Sequence, residues 1–348
     1  MSFYGPVSLL EEKKEKLHPE KIRATLEKLR IPSKTIDKMI EKYKMYYVFA
    51  DYIDPKASHV SLSFYLGGLE KALKEIISDL KKLPTVEERR KYLLENIGIS
   101  RPRKVGEFIV WALPAFATCP GLTNLCFNWC YAAKGRYPLP DAHRIRAINL
   151  LSSLLPEFPT VLKKKIERIS KRTGVKTVRL HDSGNFYTIS WIKDWLRRLD
   201  INLKELENLL GINFSELPDD KYIKDIGYVV RSLPDIRFYT YTRIWSEDQI
   251  FKSIEKHILP NKNFVLYLSV DKTMPRNEIV DAFKYAGKYE NVKLSFSGFL
   301  PEDLIKRYGR KVVFCPNSIA KIKRHKPPTC DKCGICVKGL ADVVFPLH

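Results

Sequence analysis

The pattern of apolar and polar positions divides the chain into two parts. Between residues 8 and 105 apolar residues recur at spacings of three and four, as in LEKLRIPSKTIDKMIEKY and LGGLEKALKEIISDLKKL. This is the period of an amphipathic helix. Pro32, Pro55 and Pro84 interrupt the pattern, and a proline inside a helical pattern ends or kinks the helix. We therefore predict a helical N-terminal region over residues 1–105.

From about residue 107 the pattern changes to short apolar runs rich in β-branched and aromatic residues, separated by amphipathic helices such as 159–173 and 189–210. The predicted strands are 107–118, 176–181, 237–242, 264–271, 292–298 and 311–314. Repeated β-α units form a parallel sheet. Six units suit an α/β fold built as a partial (β/α)6 barrel over residues 106–314, and a doubly wound sheet is the alternative. In both folds the active site lies at the carboxyl ends of the strands.

The composition is that of a soluble globular protein with a strongly basic charge. Of the 348 residues 45% are hydrophobic, and no apolar run approaches the roughly 20 residues of a membrane span. The first residues contain no secretory signal, so we expect a cytoplasmic protein without a membrane partner, whose thiols stay reduced and serve as ligands. The net charge of +21 favours RNA or DNA as a partner. Alternatively, a chain rich in Lys, Glu and Ile with one glutamine, Gln249, resembles hyperthermophile proteins, in which charge serves stability.

Three cysteines, Cys119, Cys126 and Cys130, lie in one loop directly after the first predicted strand, in CPGLTNLCFNWCYAAKG. Three thiolates leave one coordination position open. A structural zinc site normally has four protein ligands, and a catalytic zinc site more often includes His or a carboxylate, neither of which occurs in this loop. A 4Fe-4S cluster whose fourth iron binds a substrate or cofactor fits better. The alternative is that the cysteines are buried apolar residues, although Pro120 and Gly121 favour a ligand loop.

The other four cysteines lie near the C-terminus. The run CDKCGIC supplies Cys330, Cys333 and Cys336, and Cys315 precedes Pro316 fifteen residues before the run. A CxxCxxC run with a remote Cys-Pro is similar to the bacterial ferredoxin arrangement. A zinc ribbon usually has two separated CxxC pairs, so we favour a second 4Fe-4S cluster over zinc. We predict that residues 315–348 form a C-terminal segment around this closed cluster, which serves electron transfer or structure.

The segment NLCFNWCYA resembles the cluster loop of radical S-adenosylmethionine (SAM) enzymes, in which an aromatic residue precedes the last cysteine and a tyrosine often follows it. Here these residues are Trp129 and Tyr131, while the spacing CxxxxxxCxxxC differs from the usual CxxxCxxC. The resemblance implies a radical SAM-like partial barrel in which the open cluster binds SAM beside Tyr131. One electron then cleaves the sulfonium, and the 5'-deoxyadenosyl radical abstracts hydrogen from a substrate.

A second resemblance, to the gene product 88 domain family of phages and mobile elements, covers about residues 110–340. It rests on TCPG at 118–121, CYA at 130–132, HDSGNF at 181–186, RFYTYT at 237–242, LSVD at 268–271, FCP at 314–316 and CDKCGIC at 330–336. That family has no settled activity, so this resemblance supports the cysteine clusters and the fold rather than a reaction.

In radical SAM enzymes the loop after the second strand contacts the amino group of SAM, and here that loop carries His181, Asp182, Ser183, Gly184 and Asn185. The resemblance implies that these residues bind the cofactor, with Asp182 also in a catalytic role. Asp182 and Ser183 offer acceptors to an ammonium group, and Gly184 permits close backbone approach. The alternative is a β-to-α turn in which Asp182 or Ser183 caps the following helix.

Other candidate residues carry weaker signals. Asp271 ends the fourth predicted strand, where it either takes a catalytic role through a ribose or substrate contact or begins a turn. Arg243 and Trp245 follow the third strand, and we interpret them as a solvated arginine and a core aromatic residue. Three histidines have no partners at ligand spacing, and we interpret them as core or surface residues: His143, His257 and His325.

A basic stretch surrounds the second cysteine group. It consists of Lys306, Arg307, Arg310, Lys311, Lys321, Lys323, Arg324, Lys326, Lys332 and Lys338. This stretch either binds phosphates without sequence preference or is a solvated charged face. The sequence thus predicts an enzyme with two 4Fe-4S clusters, SAM, an electron donor such as a ferredoxin, and a nucleic-acid substrate. The alternatives are an iron-sulfur or zinc protein that binds nucleic acid without radical chemistry, and a redox carrier.

Overall fold

The computed structural model describes residues 59–345, apart from 102–105, 124, 127–129, 134–135, 323–325 and 327. Its helices are α1 (His59–Lys81), α2 (Val86–Glu95), α3 (Pro140–Ser153), α4 (Phe158–Thr173), α5 (Ile189–Arg198), α6 (Leu203–Leu210), α7 (Lys221–Arg231), α8 (Asp248–His257), α9 (Arg276–Lys288), α10 (Glu302–Arg307), α11 (Pro316–Ile322), α12 (Cys330–Cys333) and α13 (Ile335–Lys338). Its strands are β1 (Ile99–Ser100), β2 (Ile109–Trp111), β3 (Thr177–Leu180), β4 (Arg237–Thr242), β5 (Phe264–Asp271), β6 (Val292–Ser297), β7 (Val312–Phe314) and β8 (Asp342–Phe345). Short 3-10 turns cover Tyr131–Ala133 and Ile244–Ser246.

The strands of the described part form one sheet in the order β1-β2-β3-β4-β5-β6-β8-β7. β1 is antiparallel to β2, and every other pair is parallel. The parallel α/β sheet is therefore confirmed. Because β2 to β6 lie side by side in chain order, the sheet is not doubly wound, since that topology reverses the strand order. β1 and β7 are its edges, and the described pairings leave it open rather than closed into a barrel.

The C-terminal strand β8 lies between β6 and β7. Asp342 fixes it in this place, because its two carboxylate oxygens accept hydrogen bonds from Nε and Nη2 of Arg310, each at 2.7 Å. The backbone N–H of Leu294 on β6 donates to the same carboxylate at 2.8 Å. The cysteines from 315 to 336 lie in the connection between β7 and β8. The chain after residue 315 thus returns to the sheet through β8.

Two apolar cores lie on the two faces of the sheet. The larger core packs helices against one face and includes Val178 of β3, Ile166 of α4 and Ile226 of α7. Tyr65 of α1 belongs to this core as well, so α1 shares the core of the sheet. The smaller core joins Tyr239 and other strand residues to the segment that carries the last three cysteines.

α1 and α2 lie in the N-terminal region that was predicted to be helical, and α2 is capped by a hydrogen bond from the Glu88 backbone N–H to the Thr85 hydroxyl. The helix predicted from LEKLRIPSKTIDKMIEKY falls within residues 1–58, which lie outside the described residues. In the part of the chain that the structure covers, no helix combines the length and apolar character needed to cross a bilayer.

Local geometry explains where the predicted elements end early. The predicted strand 107–118 shortens to Ile109–Trp111, because Pro114 and a turn follow in which Phe116 has a φ of 64°. The predicted helix 189–210 divides in two. Asp200 takes a left-handed φ of 54° between the two halves, and the Asn202 side chain accepts from the Glu205 N–H to begin α6.

Candidate functional site

The first three cysteines lie in the loop that follows the carboxyl end of β2. We refer to Cys119, Cys126 and Cys130 as the cysteine trio. All three are free and half-buried. The loop is built from a tight turn, in which the N–H of Cys119 donates to the Phe116 carbonyl at 3.1 Å. Trp129 lies outside the described residues.

The trio thiols lie within electrostatic reach of one another. Burial raises the pKa of the Cys130 thiol to about 12, and the nearby Cys126 contributes to this rise. The pKa of Cys119 is raised by burial first and then by Cys130 and Cys126. Arg243 opposes the rise at both Cys119 and Cys130. The three thiols therefore influence one another electrostatically, with Arg243 as the nearby positive charge.

The carboxyl end of β5 anchors the trio loop through Asp271, which is fully buried. Its Oδ2 accepts from the Thr123 hydroxyl at 2.8 Å, and the Thr123 hydroxyl in turn accepts from the N–H of Cys126 at 3.2 Å. Oδ2 also accepts from Arg243, and Oδ1 accepts from the backbone N–H and hydroxyl of Thr273. Asp271 thus both begins a turn and holds the trio loop. Its predicted contact with a ribose or substrate stays a prediction.

The interpretation of Arg243 as a solvated residue is wrong. Its side chain is only 14% exposed, because it pairs with Asp271 and donates to the Ser297 hydroxyl at 3.3 Å. A basic residue directly after a parallel strand was the available signal, since that position faces the site. Trp245 is confirmed as a core residue, fully packed with its indole N–H donating to the Ser269 carbonyl at 3.3 Å.

The loop after β3 clamps the segment that leads to Cys119. The Ser183 hydroxyl donates to the Leu113 carbonyl at 2.7 Å, and the Leu113 N–H donates to the Ser183 carbonyl at 2.9 Å. The Asn185 N–H donates to the Thr118 hydroxyl at 3.3 Å. Gly184 has a φ of 76°, and a Cβ there would lie 2.4 Å from Thr118 Oγ1. Thr118 and Leu113 thus approach Gly184 closely, and the predicted approach of a cofactor there stays a prediction.

The alternative that Asp182 or Ser183 caps the following helix is wrong. α5 begins after Thr188, whose hydroxyl accepts from the N–H of Trp191 at 3.3 Å. Residues 181–185 thus do not cap α5, and Asn185 contacts Thr118 beside Cys119 instead.

The His181 imidazole points into the core under the sheet edge. Its Nε2 lies 2.8 Å from the Tyr222 hydroxyl, and its Nδ1 lies 3.3 Å from the Thr240 hydroxyl. Burial lowers the pKa of His181 to about 3, so the ring is neutral. The side chain is engaged in the core, which leaves only the backbone of His181 at the loop.

Asp182 contacts two tyrosines that follow Cys130 in the chain and one arginine of β3. Its Oδ2 accepts from the Tyr137 hydroxyl at 2.7 Å, and its Oδ1 lies 3.1 Å from Arg179 Nη1. The Tyr131 hydroxyl donates to the Asp182 carbonyl oxygen, while the Tyr131 ring is half exposed. Of the residues in these contacts, the sequence had indicated only Asp182 and Tyr131 as members of the site. The signal for Arg179 was a single charged residue inside the apolar strand β3.

The remaining four cysteines, which we call the cysteine quartet, line one cavity of about 110 Å³ on the sheet face opposite the main helices. Cys315 follows β7, where its N–H donates to the Val344 carbonyl at 2.9 Å. Gly334, with a φ of 68°, turns the chain between α12 and α13. This turn brings Cys330 and Cys336 to the same cavity, which Cys333, Arg179, Tyr239 and Tyr241 also line.

The quartet thiols also influence one another. Burial raises the pKa of Cys336 to about 12; the Tyr241 hydroxyl opposes the rise, and the other three thiols add to it. Among the described residues, no three or more His, Cys, Asp or Glu side chains are gathered closely enough to hold a single metal ion. In a 4Fe-4S cluster each thiolate binds a different iron, so its ligands do not meet at one point.

The structure describes two of the three histidines and the side chains of seven of the ten residues in the basic stretch. His143 is confirmed as a core residue against the Tyr65 ring, and His257 is a partly exposed residue 3.5 Å from Asp220. His325 lies outside the described residues. The exposed members of the basic stretch are Lys306, Arg307, Lys311, Lys326, Lys332 and Lys338. Arg310 is not among them, since it is buried against Asp342. The side chains of Lys321, Lys323 and Arg324 lie outside the described residues.

Comparison with known proteins identifies relatives among phage proteins. The model of the family described as gene product 88 matches residues 83–201 and 213–339. The Gene 88 protein of Mycobacterium phage L5 is 24% identical over 244 residues, which cover 66% of this chain and 81% of the phage protein. The Gene 88 protein of Mycobacterium phage D29 is 23% identical over 245 residues, with the same coverage of 66% and 81%. No solved structure gives a significant match.

Proposed function

The chain belongs to the gene product 88 family, and from this premise we propose that it is an iron-sulfur enzyme similar to radical SAM proteins. The trio holds a 4Fe-4S cluster with one open iron, and the quartet holds a closed auxiliary cluster. The observation that carries this proposal is the division of all seven free thiols into two groups. One group lies at the carboxyl edge of the sheet, and the other lines one cavity on a face of the sheet.

The donor chemistry supports iron-sulfur binding at both sites. Between Cys119 and Cys130 the chain contains no His, Asp or Glu, and the nearby carboxylate of Asp271 is already paired with Arg243. Cysteine-only ligation is typical of 4Fe-4S clusters, and a catalytic zinc site more often includes His or a carboxylate. At the quartet four thiols surround a cavity that also receives the Tyr241 hydroxyl.

The position of the trio supports a relation to radical SAM enzymes. The loop crosses the carboxyl edge of the sheet from β2 to β5. There Gly121 lies against the backbone of Arg243, which follows β4, and Thr123 contacts Asp271 at the end of β5. Active sites of parallel α/β folds lie at this edge. The strand order from β2 to β6 is the order of an incomplete (β/α) barrel, and we propose this relation for the fold.

The loop after β3 can receive the amino group of SAM through Asp182. An ionised carboxylate offers about four lone-pair sites, and Asp182 uses its two oxygens for Tyr137 and Arg179. An ammonium group therefore finds a charged acceptor between the half-exposed Tyr131 and the trio. Ser183, Gly184 and Asn185 act by holding Cys119 in place. SAM held there would supply a 5'-deoxyadenosyl group for hydrogen abstraction once one electron has reduced its sulfonium, and a small electron donor such as a ferredoxin is the proposed source of that electron.

The enzyme proposal is tested by product analysis. Protein reconstituted with iron and sulfide without oxygen is incubated with SAM and dithionite, and 5'-deoxyadenosine is measured. The proposal predicts its formation by wild-type protein, and its loss in Cys126→Ser. The matched control is Cys333→Ser, which changes a cysteine of the quartet. We expect it to retain the iron bound at the trio. If several reductants give no 5'-deoxyadenosine from protein that carries both clusters, the radical SAM proposal is wrong.

A second candidate function is nucleic-acid binding without radical chemistry. It is favoured by the exposed lysines and arginines around the quartet and by the net charge of +21. Binding to phosphates weakens steeply as salt increases. Retention of a salt-dependent affinity for RNA or DNA, together with an absence of SAM cleavage, would support this candidate. The same affinity together with SAM cleavage would identify nucleic acid as the substrate class.

A further inference from the structure

Arg179 is a charged residue on the sheet face that carries the smaller core. In the strand register it lies between Val110 of β2 and Tyr239 of β4, which both belong to the smaller core. Its side chain lines the cavity of the quartet. Its guanidinium carbon lies 5.7 Å from the centroid of the Tyr241 ring, which lines the same cavity. An arginine in this position costs desolvation energy, which favours an anionic neighbour.

One end of the Arg179 guanidinium is paired with a carboxylate, and its Nε–H is not paired within the described part of the chain. Its Nη1 pairs with Asp182 at 3.1 Å, and Asp182 is shared with the hydroxyl of Tyr137. Its Nε–H is buried and has no hydrogen-bond acceptor among the residues that the structure describes. Arg179 also acts electrostatically on Cys330, where its charge opposes the rise of the thiol pKa that burial causes. The guanidinium thus lies between a carboxylate and the quartet thiols.

We propose that Arg179 compensates the negative charge of an iron-sulfur cluster held by the quartet and thereby raises its reduction potential, while Asp182 limits the effect as the counter-ion. This inference rests on the proposed function of the quartet. Reduction adds one electron to the cluster, and no bond is formed or broken. The reduced form is therefore the more negative one, and a nearby cation stabilises it more than the oxidised form. Low solvent access at the cavity makes this interaction stronger than at the surface.

The experiment measures midpoint potentials on the full-length chain. The trio is replaced by serine (C119S, C126S and C130S), so that only the quartet cluster remains. Electrons come from a mediated electrode, and the reduced cluster is followed by electron paramagnetic resonance. Arg179→Gln should shift the midpoint potential to a more negative value, and Arg179→Lys should keep it near that of the parent. Asp182→Asn should shift it to a more positive value, because Arg179 is then left without its counter-ion.

Arg237→Gln is the matched control, since Arg237 lies on the same strand as Tyr239 but is exposed at its amino end. It should leave the potential unchanged. Shifts of opposite sign at Arg179 and Asp182 are not expected from a general loss of packing. Should Arg179→Gln fail to fold, the negative shift is sought in Arg179→Met, whose side chain keeps the apolar packing without the charge. If the cluster is present and both substitutions leave its potential unchanged, or shift it in one direction, the inference is wrong. If the parent retains no iron and sulfide, the proposed function of the quartet is wrong as well.

Discussion

Substitution Asp342→Ala tests how the C-terminal strand and the quartet are held in the sheet. Asp342 is 1% exposed and Arg310 is 15% exposed in their side chains, and they form two hydrogen bonds of 2.7 Å. Removal of one partner of a buried ion pair leaves the other charge uncompensated, which typically costs about 3–5 kcal/mol. Loss of the acceptor of the Leu294 N–H on β6 acts in the same direction. We therefore expect a decrease of about 3–5 kcal/mol in the free energy of unfolding.

The assay is urea unfolding of the metal-free protein under reducing conditions, followed by intrinsic tryptophan fluorescence. Asp303→Ala is the matched control, because it breaks an Arg–Asp pair whose side chains are 54% and 66% exposed. Such exposed pairs contribute at most about 1 kcal/mol. The cysteine thiols in the connection between β7 and β8 should also react faster in Asp342→Ala, as measured by the rate of thiol alkylation. Equal losses of stability in the two variants would refute the assigned role of the buried pair.

Three further predictions concern the trio loop and its thiols. Gly184→Ala should lower the free energy of unfolding by about 1–3 kcal/mol, because its Cβ would meet Thr118; Gly287→Ala, with open space around it, should not destabilise in the same thermal unfolding assay. Asp271→Asn weakens the pairing with Arg243 and should reduce the iron bound at the trio, measured in a variant without the quartet cysteines. Because burial raises the pKa of Cys130 and Cys336 to about 12, the folded metal-free protein holds these protons more tightly than the unfolded chain. Its stability should therefore be complete below about pH 8.5 and should fall as the pH rises towards 12, and unfolding midpoints across that range check this.

The sequence predicted the elements that are governed by local periodicity. β4 and β5 occupy the predicted residues 237–242 and 264–271, because both are short runs rich in aromatic and β-branched residues, which favour strands. β1 and β8 were not predicted. β1 has only two residues, and β8 depends on the distant pair Arg310–Asp342, which no local pattern reveals.

The sequence predicted those features of the candidate site that depend on residues close together in the chain. Cysteine spacing predicted the two groups, and their ligand roles stay a prediction. The side-chain directions were not predictable, because they are set by contacts across the sheet. His181 turns into the core to meet Tyr222 of α7, and Arg243 turns inward to Asp271 at the end of the neighbouring strand. Both partners are remote in the chain, so the pattern around each residue contained no sign of them.

Iron and acid-labile sulfide analysis of the protein isolated without oxygen tests the central claim most directly. Two 4Fe-4S clusters give about eight iron and eight sulfide per chain, and we expect about half of each when either the trio or the quartet is replaced by serine. A bound zinc ion without sulfide, or free thiols at all seven cysteines after isolation and reconstitution, would contradict the account.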